Sequence, residues 1–413
     1  MSPATALDGK PGIGGLTRSQ GRVVELEIGD ELRPPWLAAD SRLPIWLEAD
    51  LAPLPSGARV LAHIVEHGER SPSIVASHDG ILFGFDAAAT ADAIQCERYL
   101  TPRRPFHTLL PLPYQLVPGS IRLAVFGWLT RNREPAAGLA FPDWPVDRSV
   151  ETLRWISDRA RGHTGHAPDA VWPSGKRWAF CISHDVDTRK GIGAIPDIAR
   201  FEESLGLRSC WFIVGNLFSV DPVLIDGLRA RGHEIGLHGD VHDNRIAYVS
   251  REQIARRLEG CRDSLDRHSI RGFRSPSLLE TPALRAELTT RFDYASQIPD
   301  TEIDSLIAAR RGCGTCFPFW KQGLLELPLT LPLEDKLVMA GLDTAGIARF
   351  WRQKIAWARE VGGVAQLSVH NEPHLLQHSR AAIEEVLRDV VGDDSAWCAT
   401  PGEVADWWKE SIR

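Results

Sequence analysis

The sequence has few cysteines and no long hydrophobic run. Its 413 residues include seven cysteines, an odd number scattered along the chain, which argues against a disulfide framework. No stretch of uninterrupted apolar residues is long enough to span a bilayer. Residues 1–21 are polar and glycine-rich and lack the apolar centre of a secretory signal. We therefore expect a cytoplasmic protein with no membrane span.

An excess of positive charge is also missing. The formal net charge of -7 at pH 7 gives no general attraction to nucleic acid or to an anionic membrane surface, so we expect neither as a partner. Hydrophobic residues make up 43% and charged residues 24% of the chain, as in ordinary soluble globular proteins. A chain of this length exceeds one average domain, and we expect more than one.

The chain divides into parts that differ in pattern. In residues 22–130, short apolar runs alternate with turns that contain Pro or Gly, which indicates a strand-rich or mixed α/β module. We place an N-terminal domain of unknown role at residues 1–145 and a connector at residues 146–174, with a predicted helix at 146–161. Strands and helices alternate through residues 175–413, which predicts an α/β catalytic domain.

The second part carries polar residues at the ends of its predicted strands. The spacing of apolar residues predicts helices at residues 195–205, after Asp221 and after Ser250. Chemistry-bearing side chains at the C-terminal ends of strands are typical of (β/α) barrel enzymes. The predicted strands are residues 178–183, 209–214, 233–238, 272–274, 292–296, 324–329, 364–369 and 397–400.

Two stretches contain the residue types of a metal site. Asp185 and Asp187 end the first of these strands, and His238 and His242 follow the third. One Asp with two His leaves positions open for water and substrate, as hydrolytic metal sites do. The two histidines lie four residues apart, so one helical turn or a tight loop can direct both at one ion. His184 adjoins Asp185 in an extended strand and should point to the other side, so it is not a candidate ligand.

Two later segments supply a cation and an imidazole. Arg274 and Pro276 follow a predicted strand, and His370 ends another. An imidazole titrates near neutrality and can donate a proton to a leaving group. His374 follows closely, so on chemistry alone either histidine could be the acid, and the position at the strand end favours His370.

In the order of its motifs, the chain resembles the polysaccharide deacetylase family, also called the NodB homology domain or carbohydrate esterase family four. The resemblance covers about residues 175–405 and implies an irregular (β/α) barrel. The first motif is similar to an Asp-x-Asp variant seen in some deacetylases and in allantoinase-like relatives. The family usually has an aromatic residue after the Pro of its third motif, where this chain has Ser277. The four motifs are Asp185-x-Asp187, His238-x-x-x-His242, Arg274-x-Pro276 and Leu367-x-x-His370.

The resemblance also implies a role for each site residue. The implied cofactor is a divalent metal, zinc in the first place. The implied metal ligands are Asp187, His238 and His242. The implied catalytic residues are Asp185 as the base, Arg274 as the residue that holds it, His370 as the acid, and Asp293 as the residue that orients Arg274.

The reaction implied by the resemblance is hydrolysis of an amide. We expect a metal-dependent hydrolase that removes N-acetyl groups from an amino-sugar-containing glycan or glycan precursor. Two alternatives stay open: an allantoinase-like cyclic amide hydrolase of the same fold, and a catalytically inactive glycan-binding module. The sequence does not name the sugar, the oligomeric state or the role of the N-terminal domain.

Overall fold

The structure is a computed structural model of the chain. Residues 1–17, which make up most of the polar N-terminal segment, lie outside its described residues, as do residues 162–171 of the predicted connector. The described residues are 18–78, 80–100, 104–109, 121, 124–125, 127–128, 141–161, 172–303 and 310–411.

Five antiparallel strands near the N-terminus form one sheet. They are β1 (Arg18–Ile28), β2 (Arg42–Ala49), β3 (Arg59–Glu66), β4 (Glu69–Ser77) and β5 (Gly80–Phe83). They lie side by side in the order β2-β1-β3-β4-β5. Alternate side chains of β2 are buried, as expected for strands with one covered face. Two helices, α1 (Ala87–Gln95) and α2 (Ser149–Ala160), contribute to the same apolar core, α2 through Val150 and Ile156.

A second sheet occupies the C-terminal part and is mostly parallel. The strand Trp178–Val186 is buried along its whole length, with His184 against Glu202 of a helix on one face and Asp185 against Arg274 on the other. The strands are β6 (Trp178–Val186), β7 (Cys210–Ile213), β8 (Glu234–Leu237), β9 (Gly272–Phe273), β10 (Tyr294–Ala295), β13 (Phe319–Lys321), β14 (Leu324–Glu326), β15 (Val364–His370) and β16 (Ala396–Cys398). Two short strands, β11 (Glu302–Ile303) and β12 (Arg310–Arg311), pair only with each other among the described residues.

Helices connect successive strands of this sheet. The α-helices are α3 (Arg189–Ser204), α4 (Pro222–Ala230), α5 (Arg251–Glu259), α6 (Arg262–His268), α7 (Pro282–Leu288), α8 (Glu334–Met339), α9 (Thr344–Val361), α10 (Pro373–Val391) and α11 (Pro401–Ser411). Short 3-10 helices lie at Phe106–Leu109, Pro173–Gly175, Ile246–Tyr248 and Pro276–Leu278.

The mostly parallel sheet is strongly curled. Its order is β13-β14-β10-β9-β8-β7-β6-β15, with β16 beside β6 and only β13 antiparallel to its neighbour. Gln366 of β15 donates from Nε2 to Ser296 Oγ, just past β10, over 2.7 Å. These strands are five positions apart and would be about 24 Å apart in a flat sheet. The sheet therefore bends round on itself.

Strand β15, at one end of the sheet, does not pair with β14, the last parallel strand at the other end. Leu331 N donates to Gln366 O over 3.1 Å, and Gln366 N donates to Thr330 Oγ1 over 2.6 Å, so a loop segment bridges the ends. The predicted mixed α/β class is confirmed. The irregular (β/α) barrel stays a prediction.

Helix α3 differs from its predicted bounds. The sequence predicts a start at residue 195, from the helical spacing of the apolar residues. In the structure the helix begins at Arg189, because the Thr188 side chain accepts from Gly191 N and caps it. Pro196 lies inside the helix. The capping residue was the better signal.

Buried polar contacts join the N-terminal part to the second sheet. Lys354 of α9 is 1% exposed, and its Nζ donates to Asp300 Oδ1 over 2.6 Å and to Pro145 O over 2.9 Å. The Tyr99 hydroxyl donates to Gly312 O over 2.6 Å. The predicted boundaries at residues 145 and 174 stay predictions.

Two global features concern the membrane and the thiols. Among the described residues, every helix is too short or too polar to cross a bilayer. All seven cysteines carry free thiols.

Candidate metal centre and active site

The candidate site lies at the C-terminal ends of the parallel strands. Asp185 stands near the end of β6, His238 directly after β8, Arg274 directly after β9 and His370 at the end of β15. Each is buried or nearly so. Parallel strands point their C-terminal ends to one edge of a sheet, so residues far apart in sequence meet there.

Asp187, His238 and His242 bring three potential ligand atoms together, all within 4.8 Å of one another. His238 Nε2 lies 3.3 Å and His242 Nε2 lies 3.2 Å from Asp187 Oδ1. Burial alone would raise the pKa of Asp187, but the facing imidazoles of His242 and His238 hold it well below its usual range. Asp187 Oδ1 is buried and accepts no well-formed hydrogen bond.

A tight loop, and not a helix, directs His242 at this cluster. His242 and Gly239 both have left-handed backbone conformations, with φ of 50° and 66°. A side chain at Gly239 would place its Cβ 2.8 Å from Pro276. Arg257 of α5 holds the loop with a two-pronged contact to Asp240, at 2.6 Å for both bonds.

These residues fit a divalent ion. His238 Nδ1 lies 3.1 Å from the carbonyl oxygen of Arg274, which can only accept, so Nδ1 carries the hydrogen and Nε2 presents a lone pair. A carboxylate and two imidazoles are ligands that zinc prefers, and three protein ligands leave coordination positions open. The buried Asp187 oxygen without a donor is consistent with this use.

Beside this cluster, Arg274 holds Asp185. Its Nη1 donates to Asp185 Oδ1 over 2.7 Å, and the guanidinium is fully buried. Its remaining N–H groups donate to the hydroxyls of Ser183, Ser296 and Ser368 and to the backbone carbonyl of Ser296. Burial alone would raise the pKa of Asp185, but Arg274 lowers it below its usual value. The predicted contact between Arg274 and Asp185 is present.

The predicted contact of Asp293 with Arg274 is wrong. Asp293 forms an ion pair with the exposed Arg271. The two residues are also neighbours at the start of the parallel pair β9 and β10. Both residues precede their strands, whereas Arg274 follows its strand at the other edge of the sheet. Asp293 therefore cannot orient Arg274, and we remove it from the site.

His370 is held by Glu334, a residue that the sequence analysis missed. His370 Nδ1 lies 2.8 Å from Glu334 Oε1, which also accepts from His370 N over 2.9 Å. His370 Nε2 lies 4.0 Å from Asp187 Oδ2 and thus faces the ligand cluster. Burial alone would lower the pKa of His370, but the charge and hydrogen bond of Glu334 raise it well above the usual imidazole value.

Other sequence candidates lie outside the cluster. His184 stacks on Trp211 with ring centroids 4.2 Å apart and bonds to Glu202 over 2.7 Å, so its predicted orientation away from the ligands is confirmed. His374 begins α10 and is half-buried. Ser277 is exposed and accepts from Asn244 over 2.9 Å.

Glu372 is a second residue that the sequence analysis missed. It lies two residues after His370 and is 5% exposed. Burial and then the charge of Asp187 raise its pKa to about 8. Its position before Pro373, at the cap of α10, was the available sequence signal.

Comparisons with known proteins give neighbours in structure only. No family model matches the chain, and no curated protein matches its sequence. An assigned polysaccharide deacetylase from Mycobacterium smegmatis is 19% identical over 58% of this chain and 92% of its own, with a TM-score of 0.48. The Puue allantoinase is 14% identical over 60% and 95%, with a TM-score of 0.49. An assigned polysaccharide deacetylase from Pseudomonas aeruginosa PAO1 is 15% identical over 60% and 96%, with a TM-score of 0.49. These identities are too low to indicate what this chain binds or hydrolyses.

Proposed function

We propose that this chain is a metal-dependent hydrolase that removes N-acetyl groups from an amino-sugar-containing glycan or glycan precursor. One observation carries the proposal. The three-ligand cluster is flanked by a carboxylate held by a buried arginine and by an imidazole held by a buried glutamate. A base and an acid that both face a metal site are what amide hydrolysis needs.

Asp187, His238 and His242 would hold the ion, and zinc suits this donor set. A bound divalent ion would supply Lewis acidity toward water and toward the substrate carbonyl. The protein's own part is to place three ligand atoms, keep them deprotonated where needed, and leave one face of the cluster open to substrate.

Asp185 is placed to act as the base. Arg274 occupies its Oδ1, whereas its Oδ2 lies 3.9 Å from His238 Nε2 and so faces the ligand cluster. The charge of Arg274 keeps the carboxylate ionised, and Oδ2 can accept a proton from the attacking water.

His370 is placed to act as the acid. Glu334 fixes Nδ1, so Nε2 faces the cluster, 4.0 Å from Asp187 Oδ2. The water oxygen bonds to the acetyl carbon as the carbon–nitrogen bond breaks; one water proton passes to Asp185, and His370 gives its proton to the departing nitrogen. Acetate and a free amine result, and solvent exchange restores both side chains.

The N-acetyl sugar follows from the motif resemblance and not from the geometry. The presence of a base, an arginine that holds it and an acid in one site argues against an inactive glycan-binding module, because such a module does not need this combination. A cyclic amide hydrolase could use the same groups, and the substrate screen distinguishes it.

The experiment is an acetate-release screen of purified, zinc-loaded protein. The panel holds small N-acetyl sugars, chitin and peptidoglycan oligomers, and allantoin as a cyclic amide. We expect acetate from at least one sugar. Ring-opened allantoin without acetate would favour the cyclic amide hydrolase, and no turnover of any compound by the metal-loaded chain would contradict the proposal.

Variants of the two aspartates test their assigned roles. Asp185→Asn should keep the metal and lower turnover by about 10²–10⁴-fold, because it removes the base. Asp187→Ala should lose both metal and turnover. Asp293→Asn is the matched control, since that carboxylate lies on Arg271 away from the cluster. Full activity of Asp185→Asn would refute the assignment of the base.

A further inference from the structure

Two loops beside the candidate metal site are joined by a single side-chain contact. Strands β6 and β15 are parallel neighbours with His370 opposite Asp185, so the segments that follow them leave the sheet side by side. Thr188 directly follows Asp187. Its Oγ1 donates to Glu372 Oε1 over 3.2 Å. The contact therefore ties the loop of a metal ligand to the loop of the proposed acid.

Gly191 lies beside this contact, where little room is left for a side chain. A Cβ at Gly191 would lie 2.8 Å from Glu372 Oε1 and 3.5 Å from Asn371 Cβ. Gly191 lies in the first turn of α3, where its backbone conformation suits any residue. A methyl group at Gly191 would therefore displace the Glu372 carboxyl group without straining the helix.

The arrangement is costly for folding. Glu372 is 5% exposed, and its Oε2 has no hydrogen-bond partner. Asn371 is fully buried with neither amide atom paired. Burying polar atoms without partners opposes folding, and such costs concentrate at functional sites. Stability of the fold therefore does not account for Glu372.

We propose that Glu372 is a positioning residue that holds the loop of Asp187 against the loop of His370 and so sets the affinity of the site for a divalent ion. The inference rests on the metal site of the proposed function. It extends that site to Thr188 and Gly191, which touch the carboxylate but none of the three ligand side chains in the described contacts. Supporting residues of this kind change metal affinity when replaced.

The test compares two glycines of the same helix. Gly191→Ala drives a methyl group into Glu372, whereas a Cβ at the exposed Gly193 meets no atom within 4 Å. Both changes replace Gly by a better helix former, so helix propensity is matched. Glu372→Gln keeps the shape of the side chain but replaces its carboxyl group by an amide. The measurements on the full chain are Co²⁺ affinity by competition titration and the midpoint of thermal unfolding without metal.

We expect Gly191→Ala and Glu372→Gln to weaken Co²⁺ binding by about 10–100-fold, and Gly193→Ala to bind as the wild type does. The unfolding midpoint of metal-free Glu372→Gln should stay the same or rise. Wild-type Co²⁺ affinity in both test variants would overturn the proposal, and so would a lowered midpoint in Glu372→Gln, which indicates a structural role. Failure of the wild type to bind Co²⁺ would overturn the proposed function, and this inference with it.

Discussion

Arg274 shows how one side chain can fix the position of a buried carboxylate, that of the proposed base Asp185. Each of its N–H groups donates to an acceptor. The three acceptor hydroxyls belong to residues on or next to β6, β10 and β15. The guanidinium also lies over the Phe212 ring, 4.1 Å from its centroid. A guanidinium with every donor satisfied has one low-energy position, so Asp185 is fixed as well.

The pH dependence of turnover should report on Glu334. His370 must be protonated to act as the acid, so turnover should fall as pH rises through the pKa of His370. Burial lowers this pKa, and the charge of Glu334 raises it by more. Glu334→Gln removes that charge and lowers the pKa. The basic limb of the profile of kcat/KM against pH should therefore move to lower pH by about 1–3 units.

Glu385→Gln provides the control for this profile. Glu385 lies on the exposed side of α10, where it bonds to Arg352. Its profile should overlay that of the wild type. An unshifted basic limb in Glu334→Gln would show that His370 is not the acid, or that Glu334 does not set its pKa.

The sequence predicted most of these residues but not all of their partners. The contact of Arg274 with Asp185 was expected from the motif resemblance, and it forms because both residues lie at the C-terminal ends of parallel strands. The prediction that Asp293 contacts Arg274 was wrong because spacing does not tell which edge of the sheet a residue occupies. Glu334 was missed because it comes from α8, whose place over β15 depends on tertiary packing. An acidic residue in the first turn of a helix was its only local signal.

At the scale of elements, β6 and α3 meet through a buried polar contact. His184 of β6 bonds to Glu202 of α3 over 2.7 Å, and Ser209 donates to the other oxygen of Glu202 over 2.7 Å. Both His184 and Glu202 are essentially inaccessible to solvent. The strand that carries Asp185 and leads into Asp187 is thus anchored from its rear face.

Replacing His184 should separate stability from metal binding. His184→Leu leaves the buried Glu202 carboxylate with one donor fewer, which should lower the free energy of unfolding by about 3 kcal/mol. Zinc content of the folded protein should stay at the wild-type level, because the imidazole faces away from the ligands. Urea unfolding and metal analysis measure the two effects.

His378→Leu is a fitting comparison, since His378 is exposed on α10. It should leave the unfolding free energy within about 0.5 kcal/mol of the wild type. Loss of zinc from folded His184→Leu would contradict the orientation of His184. An unfolding free energy equal to that of the wild type would contradict the anchoring role.

The elements themselves were predictable where a local signal exists. Most strands of the second sheet were found from apolar runs, and α4 from its Asp221 cap followed by Pro222. The start of α3 was misplaced because apolar spacing does not detect a polar first turn, which the Thr188 cap marks. Curling of the sheet was expected only from the family resemblance, since contacts such as that of Gln366 with Ser296 join residues far apart in the chain.

At the scale of the whole molecule, Lys354 is a central link. It binds Asp300 and the Pro145 carbonyl, and burial raises the pKa of Asp300 to about 7 even with this lysine beside it. Lys354→Met would leave a buried acid and a buried carbonyl without their cation. We expect the free energy of unfolding to fall by about 3 kcal/mol, as measured by urea denaturation at pH 8.

Lys190→Met controls for the loss of a lysine, because Lys190 is exposed on α3. This variant should unfold like the wild type. Lys354→Met with a loss below about 1 kcal/mol would mean that the link contributes little, as exposed ion pairs do.

The open seam of the curled sheet has a consequence for hydrogen exchange. Along β6 and β15 a continuous ladder protects the backbone amides, whereas between β14 and β15 protection depends on the bridge from residues 330 and 331 to Gln366. Amides at this bridge should exchange with solvent deuterium faster than those of β6, because opening there breaks fewer bonds. Local opening would then follow one line parallel to the strands. This line lies on the side of β15 that faces away from β6 and Asp187.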